Sequence, residues 1–148
     1  MHDNIFFIDK IKEMVYSAEC KIEILVEGFC GNFPFCIVSY GTHPCCYVGV
    51  GSKHPFYDEH YDSIDLNCHG GITYAERSND IGSKIMKNYY VLGWDYAHID
   101  DYMGYYNSEV SRGLSYSKWK KWTTEELLEE IKKVVQQLDL NLWEESYN

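Results

Sequence analysis

Between Gly41 and Asp101 the chain concentrates residues whose types and spacing can do chemistry. His69-Gly70-Gly71 sets a titratable imidazole beside two residues that tolerate positive φ and close backbone approach. Consecutive glycine N–H groups can form an anion-binding nest. Asp95 and His98 stand three positions apart, with Asp100 and Asp101 just beyond. A sharp turn there brings Asp95 and His98 to one site. A carboxylate beside an imidazole fixes a tautomer, supports general base catalysis or ligates a metal. Candidate ligand-binding residues are therefore His69, Gly70, Gly71, Thr73, Tyr74, Trp94, Asp95 and His98. His69, Asp95 and His98 are also the candidates for catalysis, or for a metal.

Each of these residues also has a structural reading. His69 can bond backbone carbonyls as a turn histidine, and Asp95 can cap the loop after its strand. His43-Pro44 and His54-Pro55 read as turn residues, because a residue before proline is held extended. Asp58, Glu59, Asp62 and Asp65 with His60 have the donors for a hard cation. They lack the spacing and central glycine of an EF-hand loop, so a solvated acidic loop is the preferred reading. Trp94, Tyr96, Tyr102, Tyr105 and Tyr106 can stack on a base or sugar, or complete a core. There is no Walker-type phosphate loop, no H-E-x-x-H and no G-x-S-x-G. Gly49-Val-Gly51 is an isolated G-x-G without a following helix. No cofactor is indicated.

The elements that must position these residues read as a single α+β domain over residues 1–148. Ile11, Met14, Val15 and Ala18 fall at helical spacing, which predicts a helix over Asp9–Glu19. Lys21–Glu27, ended by Gly28, then Phe33–Tyr40, Cys45–Val50, Ile72–Ala75 and Tyr89–Asp95 read as strands. Together they make an antiparallel sheet of about five strands. Residues 99–118 read as a long ordered loop, of the kind that often carries function. Thr123 with Glu126 forms a capping box for a C-terminal helix. Its buried stripe is Leu127, Leu128, Ile131, Val134, Val135 and Leu138.

Length and composition bound the function. The 148 residues suffice for a real core without staples. The six cysteines contain no C-x-x-C pair and follow no secretory leader, so they read as free, mostly buried thiols. No apolar run approaches the length of a membrane span. The formal charge is 13 − 23 = −10, which argues against direct binding of nucleic acid or an anionic membrane. The charge is uneven: residues 77–122 hold 7 basic and 5 acidic side chains, while both ends are strongly acidic. An anionic ligand is welcome only in that middle third.

The run Tyr47–Val50 (YVGV), His54-Pro55, the acidic Tyr-rich stretch Tyr57–Asp65, His69–Tyr74 (HGGITY) and Leu92–His98 (LGWDYAH) resembles a family of small, uncharacterised proteins encoded by bacteriophages and prophages. The resemblance covers about residues 36–138. It implies a phage setting, in the cytoplasm of an infected host, more firmly than a reaction. On that footing three functions compete. The first is a counter-defence protein that binds and sequesters a small, nucleotide-type host immune signal, with Lys84, Lys87 or Arg112 meeting its charge. The second is an acidic protein inhibitor of a host defence nuclease, of anti-CRISPR type, mimicking DNA through Glu125, Glu129, Glu130 and the Asp58–Asp65 loop. The third is a His/Asp or metal-assisted hydrolase. The partner is thus a nucleotide-type small molecule or a host defence protein, with homo-oligomerisation open.

Overall fold

Apolar runs bounded by turn residues produce six strands in the computed structural model, which describes residues 5–77, 82–103 and 119–147. They are β1 (Phe6–Ile11), β2 (Glu23–Cys30), β3 (Phe33–Ser39), β4 (Pro44–Val50), β5 (Tyr74–Glu76) and β6 (Tyr90–Asp95). All pairings are antiparallel, and the sheet order is β1-β2-β3-β4-β6-β5. One long helix, α1 (Thr124–Tyr147), packs on one face of this sheet. The architecture is α+β, dominated by the sheet.

Strand alternation sends two sets of side chains to two covered faces. Phe33, Phe35 and Ile37 of β3, Cys46, Val48 and Val50 of β4, and Tyr90, Leu92 and Trp94 of β6 face the helix. There they meet the whole expected stripe of α1, from Leu127 to Leu138. Cys36, Val38, Cys45, Tyr47 and Val91 point the other way and pack with Met86 of the 3₁₀ turn Lys84–Met86. Every residue of β3 and β4 is buried, which is why both read as unbroken apolar runs. The six cysteines are free, four of them buried. Burial pushes the Cys30 thiol up to about 11 and the Cys45 thiol up to about 12.

The helix begins as its sequence dictates. Glu126 N–H donates to Thr123 Oγ1 at 3.2 Å, and Thr123 N–H donates to Glu126 Oε1 at 3.1 Å. This reciprocal pair is the expected capping box. Thr124, fully buried, then ties the helix to the N-terminal segment. Its hydroxyl donates to the Lys12 carbonyl at 2.9 Å and accepts from Met14 N–H at 3.0 Å.

The predicted helix over Asp9–Glu19 is not formed; its start is strand β1 instead. Phe6, Phe7 and Ile8 pair with Cys30, Phe29 and Gly28, supplying the sixth strand. Of the apolar positions that suggested a helix, only Met14 is buried, while Ile11 and Val15 are 56% and 67% exposed. A helix here would need its own apolar surface to cover, and α1 already occupies that face of the sheet. Lys12 and Met14 instead spend their N–H groups on the Leu25 carbonyl and on Thr124. Gly28, expected to end β2, lies inside it. A Cβ there would sit 2.2 Å from the Phe7 carbonyl oxygen, so the missing side chain lets β1 approach.

His54 hangs the chain after β4 onto the helix. Its Nδ1 accepts from Phe56 N–H at 3.0 Å, so Nε2 carries the proton and donates to the Leu138 carbonyl at 2.9 Å. Burial holds its pKa below the ordinary imidazole range, and does the same for His43. The unfolded chain therefore binds these protons more readily than the folded one. Stability is full above a pH of about 6.5 and falls as pH drops below it. Melting temperature measured from pH 7.5 down to about 5.5 is expected to decline, and to decline less in His54→Gln. Removing the centre of the helix stripe with Ile131→Ala should cost about 2–5 kcal/mol in urea unfolding.

Candidate functional site

The His69 turn is closed by Gly71 N–H donating to the Cys68 carbonyl at 3.0 Å. That N–H is spent within the turn, so Gly71 does not offer it to an anion nest. Gly70 has φ of +71°, and a Cβ on it would fall 2.1 Å from His98 Nε2. Glycine is required here both by the backbone and by the ring lying against it.

At the end of β6 the chain turns sharply, as the pairing of Asp95 with His98 requires. Asp95 Oδ1 accepts from Ala97 N–H at 3.1 Å, and Oδ2 accepts from the Thr73 hydroxyl at 3.3 Å. Asp95 is thus a loop cap and a neighbour of His98 at once. Its Oδ1 lies 3.3 Å from His98 Nε2, out of line for a hydrogen bond, and among the described residues Nε2 has no hydrogen-bond partner.

His69 does not meet Asp95. Its Nε2 lies 2.8 Å from Asp101 Oδ2, and Asp101 is only 3% exposed. The same carboxylate accepts from Trp122 Nε1 at 2.8 Å and from His98 N–H at 3.0 Å. A buried carboxylate is stable only when donors replace its water, and the described residues supply Asp101 with three. Asp100, at φ +76°, makes the bend. Its carbonyl accepts from Lys120 N–H at 2.7 Å, and Lys120 returns its own carbonyl to Tyr102 N–H at 2.8 Å. The segment before α1 is thereby fastened beside Asp101.

The His69 ring is packed on three sides. Tyr96 stacks on it at 4.6 Å with planes 7° apart, Trp122 meets it edge-on at 5.0 Å, and His98 lies 5.5 Å away. Its backbone N–H donates to Glu130 of α1 at 3.1 Å. A carboxylate on Nε2 puts the proton there and leaves Nδ1 as the lone-pair nitrogen. Among the described residues no hydrogen bond reaches that Nδ1.

The structure therefore brings His69, Gly70, Thr73, Asp95 and His98 into one neighbourhood and adds Asp101, Tyr96, Trp122 and Glu130. Trp94 is not part of it: 1% exposed, it donates to the Tyr96 hydroxyl at 3.1 Å inside the core. Tyr74 packs edge-on to Tyr47 at 5.5 Å, on the sheet face away from the helix. Tyr105, Tyr106 and Arg112 lie outside the described residues. Among the described residues no three His, Cys, Asp or Glu groups converge as metal ligands. The acidic loop is engaged locally, with His60 Nδ1 capping the turn Tyr61–Ser63 and Asp58 gripping Arg77 through both oxygens. No helix among the described residues is long and apolar enough to cross a membrane.

A second concave region lies elsewhere. An open cleft of about 750 Å³ is lined by Tyr57, Arg77, Lys84, Lys87, Asn88 and Tyr89, with Ser52 and Ser83. The Arg77 guanidinium lies 5.6 Å from the centre of the Tyr57 ring. Its hydrogen bonds to Asp58, helped by its charge, hold that carboxyl below the usual range. Among the described residues no ion pair engages Lys84 or Lys87. The uneven charge along the chain pointed to Lys84 and Lys87, but no local pattern joined them to Tyr57, near the start of the acidic loop. Trp122 and Glu130 were equally hidden, lying more than fifty positions from His69. Asp101 stood in view in the run ending HIDD, three residues beyond His98.

Asp101→Asn keeps the shape but gives up the negative charge that three donors share. It is expected to lower unfolding free energy by about 1–3 kcal/mol. It should also shift the His69 ring nitrogens away from the Nε2–H tautomer, read by long-range ¹H–¹⁵N spectra. Comparison of the chain with protein-family models, with curated proteins and with solved structures gives no match.

Proposed function

We propose that this protein binds and sequesters a small, anionic, nucleotide-type ligand, in the host–phage setting that its sequence resemblance implies. The observation that carries the reading is the cleft between Tyr57 and Tyr89. A chain with a net charge of −10 gathers Arg77, Lys84 and Lys87 on one concavity of about 750 Å³. That volume lies in the ordinary range of small-molecule sites. Two tyrosines flank the cations, and an aromatic ring beside a cation is what a base joined to a phosphate requires. Asn88, Ser52 and Ser83 add neutral hydrogen-bonding groups for the sugar or base edge.

The acidic-inhibitor reading draws less support. Two of the glutamates on α1 are committed within the fold. Glu130 accepts from His69 N–H, while Glu126 completes the capping box and pairs with Lys120 at 2.6 Å. Glu129 is 3.6 Å from Lys132, which blunts its charge further.

Thermal unfolding with ATP, 3′,5′-cyclic AMP and ADP-ribose tests the proposal. A nucleotide at about a hundred times its dissociation constant adds about 2.7 kcal/mol, a shift of several degrees at this chain length. The double variant Lys84→Glu with Lys87→Glu should melt like the parent without ligand and lose the shift. No shift with any of the three would sink the proposal, as would a shift that survives both charge reversals.

A further inference from the structure

The cleft that carries the proposed function draws two of its cations from a single short turn. Lys84 opens the 3₁₀ turn Lys84–Met86, and Lys87 closes it by donating its N–H to the Lys84 carbonyl at 3.4 Å. Side chains three apart on a 3₁₀ turn eclipse one another, so both lysines leave it on the same side. Both are exposed, and both line the cleft. The turn itself is pinned to the core. Met86, fully buried, packs with Cys36, Val38 and Val91 on the sheet face away from the helix. Ser83, 2% exposed, donates its hydroxyl to Glu27 of β2 at 3.3 Å. Tyr89 N–H donates to the Met86 carbonyl at 3.1 Å, across a bend where Asn88 has φ of +73°. Gly49, the first glycine of the isolated G-x-G, seats Tyr89. A Cβ on it would fall 2.9 Å from Tyr89 Cβ and 3.1 Å from Tyr89 Cγ. Arg77 has two nitrogens of its guanidinium on Asp58, which leaves Lys84 and Lys87 to meet a ligand's charge.

We propose that the cleft selects a nucleotide ending in a phosphate monoester over one whose phosphate is a cyclic or bridging diester. Lys84 and Lys87 converge on that one terminal phosphate. Such selection presupposes that the cleft binds a nucleotide at all, and it narrows the class. A phosphate monoester loses its second proton near pH 6, so at neutral pH it holds close to two negative charges on three free oxygens. A diester phosphate holds a single charge. Two ammonium groups presented by one rigid turn are matched by the monoester, whereas a diester leaves one of them without a counter-charge.

Isothermal titration calorimetry on the full chain near neutral pH, with 5′-AMP, 3′,5′-cyclic AMP and ADP-ribose, tests the selection. All three carry adenosine, and ADP-ribose matches the charge of 5′-AMP but spreads it over two phosphorus atoms. The dissociation constant for 5′-AMP should be lower than for either of the others by about tenfold or more. Lys84→Gln and Lys87→Gln should each weaken 5′-AMP binding and bring that ratio to within about threefold. Both side chains are exposed, so the melting temperature of each variant should match the parent, and either variant alone decides. Equal affinity for 5′-AMP and 3′,5′-cyclic AMP overturns the selection while nucleotide binding stands. A preference for 5′-AMP that survives both substitutions overturns it as well. Binding of none of the three also overturns it, and if ATP is silent too, nucleotide binding falls with it.

Discussion

The apolar stripe of α1 lying on the sheet is the constraint from which the rest follows. Each fully buried aliphatic side chain contributes roughly 1.5–3 kcal/mol, so Leu127, Ile131, Val134, Val135 and Leu138 together outweigh any single polar contact here. With the helix fixed by that stripe, its polar positions become anchors for the chain between β4 and β5. Leu138 holds His54 through its carbonyl, and Gln137 brackets Asn67, accepting from its N–H at 2.7 Å and donating to its carbonyl at 2.8 Å. Glu130 holds the N–H of His69. Three contacts from a single helix thus carry a segment that has no strand of its own between Val50 and Tyr74. The His69 turn is positioned by α1 as much as by the sheet.

Asp101 imposes the second constraint, and it is electrostatic. A carboxylate that is 3% exposed has lost its water, and each donor that replaces water must come from a different part of the chain. His69 comes from the loop, the His98 N–H from the turn after β6, and Trp122 from the approach to α1. The carboxylate therefore knits three segments, of which only the last two also share a backbone bridge, between Asp101 and Lys120. Asp95 beside His98 is the weaker version of the same device. It is 30% exposed, and water screens the pair. The two imidazoles thus differ in how they are held, because only the His69 ring is hydrogen-bonded to its carboxylate.

How much was legible in the sequence depended on the range of the signal. The start and buried stripe of the C-terminal helix were readable, because its capping box and its 3.6-residue stripe are local patterns that burial then uses without change. β3 and β4 were readable because a strand covered on both faces has no polar positions to confuse it. Residues 9–19 were misread because Ile11, Met14, Val15 and Ala18 mimic a helical face, while the decisive fact for their start was a neighbouring edge of β2 with free hydrogen-bonding groups. At the site, Asp95 and His98 could be paired from their spacing, and Gly70 from its neighbour His69. The partner of His69 could not be assigned. Asp95 and Asp101 were both near enough in sequence to serve, and only the bend at Asp100 and the buried Trp122 select Asp101. Trp94 looked like a stacking surface, yet the parity of β6 turns it toward the helix, whereas Asp95 points away.

Net charge was a poor guide to the cleft. At physiological ionic strength exposed charges are largely screened beyond about 8 Å, so the acidic ends of the chain need not set the potential around Lys84 and Lys87. The local balance is what a ligand meets. Arg77 is already matched by Asp58, which leaves the two lysines as the surplus in the cleft. Two positive charges flanked by two tyrosines suit a compact ligand carrying about two negative charges and one aromatic face. Under the proposed reading, the local balance in the cleft and not the overall charge of the protein is what a small nucleotide would meet.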